Sequence, residues 1–195
     1  NTNLIIDSVQ AGIRTTGYLS IVDYPHLKDI DAPDMEIFSK AVSSGHFPLS
    51  VLAVTENISN KFKTGIYGNT MTGNPKALEI GIQTLSRLTP QLTYYIQESG
   101  IRFKNMLVDV KNKYPDIAIN VSGTGLLLAL HIHTKYKVDE KYGLEYICRK
   151  NGLNVIHGGE NALRFTPYFL INTKEIDLIR NILDMSFKEL RNNNK

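Results

Sequence analysis

The chain is poor in several things, and each shortage excludes a class of protein. There is one cysteine, Cys148, so no intrachain disulfide framework exists, and a reducing, cytoplasmic setting is expected. Long apolar runs are missing. The densest, "LLLAL" from Leu126, is far too short to span a bilayer as a helix, so no membrane partner is expected. Charge of one sign is not in excess: the net charge is +3, and the most basic run, Lys135 to Lys141, is broken by Asp139 and Glu140. That scatter argues against nucleic acid as a partner. No charged and then apolar leader opens the chain, so no signal peptide is expected. No internal repeat or low-complexity linker is seen. The opening "NTNLIIDSVQAG" has no initiator Met and reads at once as a strand, as if the chain began inside a domain.

What is present is an ordinary globular composition, 42% hydrophobic and 21% charged over 195 residues. "LIIDSV" reads as a short buried strand of a parallel sheet. "AGIRTTGY" reads as loop. "MEIFSK" is a second strand ending at Lys40, and "SSGHFP" a turn. "LSVLAVT" is a third strand. "ENISNKFK" is a short helix capped by Thr55, and "GIYGNTMTGNP" a long loop. "NPKALEIGIQTLSRL" is a helix with proline at its start. Strands alternating with helices indicate an α/β sheet.

After Pro90 the pattern changes. "LTYYIQESGIRFKNMLVDVKNKYP" is a long amphipathic helix. "INVSGTGLLLALHI" is a strand pair or one bent strand, and "EKYGLEYICRKNG" a helix closed at Gly152. "LNVIHGG" and "ALRFTPYF" are two short strands, and a terminal helix is capped by Thr173. The expected division is 1–90, the end of an α/β domain, and 91–195, a small α+β domain.

Three polar features fall at strand ends or beside them, where open α/β sheets bind ligands. Asp7 ends the first strand and Lys40 the second, while the loop with Thr70 stops just before a helix N-terminus, a place that favours anions. A carboxylate to keep a pyridine nitrogen protonated, an amine for an aldehyde and donors for a phosphate together suit pyridoxal phosphate. Each residue also has a plainer reading. Asp7 alone could be a turn or cap, Lys40 a snorkelling surface lysine, Thr70 a turn former, and Arg164 a structural ion pair. One loop histidine, His46, is weak evidence for a base. His131 and His133 would share a strand face but lack further ligands, so no metal site is expected. Cys148 reads as core, and Tyr94 and Tyr95 as packing.

The stretches "IIDSVQAG", "SKAVSSGHFPLS", "GNTMTGNP" and "ALRFTPYF" occur in the order found in class III (ω-amino acid) aminotransferases of fold type I. Nearly the whole chain resembles the C-terminal half of such an enzyme, closer in its lysine loop to the ornithine and putrescine type than to the acetylornithine type. The resemblance implies that Asp7 pairs with the pyridinium nitrogen, Val9 packs beneath the ring and Gln10 lies near its phenolic oxygen. It implies that Lys40 is the internal-aldimine lysine and proton shuttle. Thr70 would hold the phosphate of the neighbouring subunit in a homodimer, and Arg164 would bind a substrate carboxylate. It further implies transamination between an amine or ω-amino acid donor and a keto-acid acceptor. There are departures. The class usually carries glutamate after its aspartate, where this chain has Ser8, which puts the outer hydrogen bonding there in question. Arg14 is displaced by one position in its loop, and Ser43 and Ser44 make the lysine loop less glycine-rich. Two other readings stay open: a non-catalytic fragment or degenerate domain serving in assembly, and a pyridoxal-phosphate aminomutase or decarboxylase on the same scaffold.

Overall fold

In the computed structural model, residues 2–27, 29–66 and 68–193 are described. The backbone groups into two units, divided between Tyr94 and Tyr95.

The first unit is built on a three-stranded sheet: β1 (Ile5–Asp7), β2 (Met35–Phe38) and β3 (Val51–Val54), in that order. β1 and β2 run parallel, with Asp7 opposite Ile37, while β3 returns antiparallel to β2. β1 has the parallel neighbour that the sequence suggests, and in this chain, which holds one strand beside it among the described residues, Leu4 and Ile5 are each about half exposed. β2 alternates, turning Glu36 and Phe38 inward. It stops at Phe38, two residues before the expected end, because Lys40–Ser43 winds into a 3-10 turn. α1 (Glu56–Ser59) and α2 (Pro75–Leu85) follow. Thr55 stands at the first position before α1 but makes no side-chain cap bond there. α2 is capped by Asn74, whose Oδ1 accepts from the amides of Lys76 and Ala77 at 3.0 and 3.2 Å, with Pro75 just inside. α3 (Pro90–Lys113) begins in this unit and continues into the next.

The second unit has an antiparallel sheet ordered β4 (Ala118–Thr124), β5 (Leu127–Ile132), β7 (Ala162–Phe165), β6 (Ile156–Gly158). α3, α4 (Leu144–Lys150) and α5 (Thr173–Asn193) complete it. Its core is dense: Phe103, Leu107, Leu128, Leu130, Leu163 and Phe187 are at most 1% exposed. α3 lies very close to the β4–β5 turn. A Cβ at Gly100 would come within 2.4 Å of Gly125 Cα, so only glycine fits. α5 meets α3 through Asp184, which accepts from Lys113, Lys188 and Tyr114. Burial works against the Asp184 charge, but these three donors outweigh it and hold the carboxyl below its usual range. Burial and the same bond push the Tyr114 phenol up to about 12.

Three local readings are corrected. The cap of α5 is Asn172, not Thr173: its Oδ1 accepts from Glu175 N at 3.1 Å, while Glu175 Oε2 accepts from Asn172 N at 2.8 Å. His131 and His133 do not share a strand face, since β5 ends at Ile132. Tyr95 does pack, donating to Ile171 O at 3.0 Å, but Tyr94 is 65% exposed. Cys148 is fully buried in α4, and burial pushes its thiol up to about 12.

Candidate active site

The parallel pairing of β1 with β2 sets the site. Parallel neighbours end at the same sheet edge, so Asp7, the last residue of β1, and Lys40, just beyond the end of β2, stand at one carboxyl edge. Both side chains are solvent-accessible. Asp7 Oδ1 accepts from Val9 N at 3.0 Å, which shapes the chain as it leaves the strand. Val9 and Gln10 follow, half-buried, in a loop that runs to Ser20.

Lys40 has an unusual backbone. Its φ is +48°, a left-handed conformation that costs a non-glycine residue free energy and persists only where the surroundings enforce it. The enforcing contacts are local. Val42 N donates to Ser39 O at 3.2 Å, Ser44 N to Ala41 O at 3.0 Å, and Ser39 Oγ to Leu49 O at 2.7 Å. α2 adds a wall, with Ser44 and Thr84 hydroxyls 3.4 Å apart.

The loop after Asp7 is equally fixed. Gly12 N donates to Ser8 O at 3.0 Å and Ile13 N to Tyr18 O at 2.7 Å. Gly17, at φ +80°, presses on Thr93, whose hydroxyl donates to Gly17 O at 2.9 Å; a side chain at 17 would overlap Thr93. Ser8, Gly12, Ile13 and Leu19 then share a cleft with Phe38, Ser39, Ala41 and Val42, so the loop and the lysine turn pack together. Arg14 is half-buried, and this burial draws its guanidinium below the usual value.

Ser8 does not lack an acidic neighbour. Its hydroxyl donates to Glu36, and Ser20 Oγ lies 2.8 and 2.7 Å from the two Glu36 oxygens. All three side chains are buried. Sequence reasoning passed over Glu36; the available signal was an acid on the inward-facing parity of a strand between apolar residues.

Thr70 lies in an exposed turn before α2, next to Asn69, whose Oδ1 accepts from Met71 N at 2.7 Å. Arg164 belongs to the second unit, on β7 between Ala129 of β5 and Ile156 of β6. It lines an apolar cavity of about 420 Å³ with Phe103, Val155, Phe165, Tyr168 and Glu175.

The chemistry of this donor set fits pyridoxal phosphate: an accessible carboxylate and primary amine at one sheet edge, and hydroxyl-bearing residues in a turn before a helix. The fold is that of the PLP-dependent transferases. The class-III aminotransferase model matches residues 1–187, and the chain belongs to that family, whose members use pyridoxal phosphate. An acetylornithine aminotransferase of Debaryomyces hansenii is 31% identical over 188 residues, 96% of this chain and 39% of the relative. One from Neisseria meningitidis is 30% identical, over 90% of this chain and 43% of the relative. Among solved structures, an ornithine aminotransferase from Plasmodium yoelii superposes with a TM-score of 0.84 at 27% identity, covering 97% of this chain and 49% of that one. Relatives of both the acetylornithine and ornithine types therefore match, and the chain spans about half of their length or less.

Proposed function

We propose that the protein of which this chain is part transfers an amino group from an amine or ω-amino acid to a keto acid. The observation that carries this reading is the shared carboxyl edge of β1 and β2, with Asp7 and Lys40 upon it. Pyridoxal phosphate, when bound, would supply an electron sink for the electron pair left on the substrate's amine-bearing carbon. Asp7 would face the ring nitrogen and keep it protonated. Val9 would pack against the ring and Gln10 would reach its phenolic oxygen. Lys40 Nζ would hold the cofactor and then carry a proton between substrate and cofactor carbons. Thr70 would donate to a phosphate. Arg164 would grip a substrate carboxylate with its planar fork.

The first unit is read as the end of the cofactor-binding large domain and the second as the small C-terminal domain. A homodimer with Thr70 serving the neighbouring subunit suits the same reading: Thr70 lies exposed, and Leu78, Ile82 and Leu85 form an exposed apolar stripe along α2. A cytoplasmic location is part of the proposal. No helix among the described residues is long and apolar enough to cross a membrane.

The test is to add pyridoxal phosphate to the full-length protein, reduce with borohydride and map the peptides. A pyridoxyl group on Lys40, lost in Lys40→Ala along with keto-acid-dependent amino transfer, is expected. Turnover that survives Lys40→Ala would sink the assignment. Amine consumption without a keto acid would favour a decarboxylase or mutase instead.

A further inference from the structure

Glu36 is a buried acid whose partners belong to the two ends of one loop. Ser8 follows Asp7 directly and donates its hydroxyl to Glu36; its amide donates to Ile37 O at 2.9 Å. Ser20 closes the loop, places its hydroxyl on both Glu36 oxygens, and accepts from Val22 N at 3.1 Å to cap the next turn. Glu36 is 7% exposed, Ser8 2% and Ser20 6%. A buried carboxylate is costly unless donors satisfy it, so Glu36 would not be tolerated here unless the loop stayed in place. Lys40 follows Glu36 by four residues, in the turn just beyond the end of the same strand.

We infer that Glu36 is a positioning residue for the cofactor site: one carboxylate fastens both ends of the Ser8–Ser20 loop to the strand that leads into the lysine turn, and so fixes Asp7, Val9 and Gln10 relative to Lys40. This rests on the pyridoxal-phosphate reading above. Glu36 itself touches no reacting atom. Its effect passes through Ser8 and Ser20, in a cluster whose charge-assisted bonds exceed ordinary ones in strength.

The experiment compares wild type, Glu36→Gln and the partner swap Ser8→Glu/Glu36→Ser in the full-length protein. Hydrogen exchange over residues 9–19 is followed without cofactor, and pyridoxal-phosphate affinity is measured by equilibrium dialysis. In Glu36→Gln, exchange in the loop is expected to quicken and the Kd to rise about tenfold or more. In the swap, which rebuilds the carboxylate–hydroxyl pair in reverse, both should return most of the way. Unchanged exchange and Kd in Glu36→Gln would overturn the proposal. So would a swap that restores loop protection but leaves the Kd raised, since the cluster would then be structural only. If Glu36→Gln fails to fold, the swap decides alone: a wild-type Kd supports the role and a tenfold weaker one overturns it. Wild-type protein that binds no pyridoxal phosphate would refute the cofactor reading instead, and loop exchange would then decide whether the clamp exists.

Discussion

Asp7 and Ile37 face each other across a parallel ladder, and Lys40 follows Ile37 by three residues. A carboxylate and an amine are thus delivered to one edge by backbone pairing rather than by contact with each other. Their losses should therefore be separable. Lys40→Ala is expected to abolish borohydride trapping and reduce amino transfer by at least about a hundredfold. Asp7→Asn should still be trapped on Lys40 while losing about a hundredfold in rate, because the lost anion acts on the ring electronics. Equal loss of trapping in both variants would refute separate roles.

The Asp184 cluster predicts an acid limb and an alkaline limb. The Asp184 carboxyl is held below its unfolded value, so its contribution is present at neutral pH and fades as pH falls below about 4. The Tyr114 phenol is raised to about 12, so its contribution is intact below about 10 and fades as pH rises from there towards 12. Asp184→Asn should lower the melting temperature at pH 7 and flatten the acid limb. Tyr114→Phe should cost about 1–2 kcal/mol at neutral pH and flatten the alkaline one. Parallel melting curves for mutant and wild type across pH would count against both.

At the start of α5 the outcome turns on which residue caps. Asn172→Ala should destabilise by about 1 kcal/mol, read from denaturant midpoints, whereas Thr173→Ala should be close to neutral. The reverse order would restore the sequence-based expectation.

Gly100→Ala sets two effects against each other. Alanine is favoured over glycine in a helix by about 1 kcal/mol. A Cβ 2.4 Å from Gly125 Cα demands a backbone shift, and overpacking of that kind costs about 1–3 kcal/mol or more. A lowered melting temperature is expected; a raised one would mean the helix and turn can part freely.

Sequence periodicity located the helices and most strands because both are written locally, in spacing and in residues such as Pro75 and Gly152. It placed Asp7 and Lys40 at strand ends without the ladder that joins them, since pairing is a long-range property. It read β1 as a strand of a parallel sheet, and the ladder to β2 is parallel. It credited Thr173 over Asn172, although Glu175, three residues after Asn172, completes the capping-box spacing. The parity of β2 marked Glu36 as inward-facing, but its partners were not legible: they lie 28 and 16 residues away, and only folding brings serines to an acid.

Cys148 has a practical consequence. It is the chain's one cysteine, fully shielded in α4, and its raised thiol offers almost no thiolate at neutral pH. A thiol reagent should therefore react only with molecules in which the surroundings of α4 have come apart. The rate of labelling becomes a clock for those rare openings, read under native conditions and without any introduced probe.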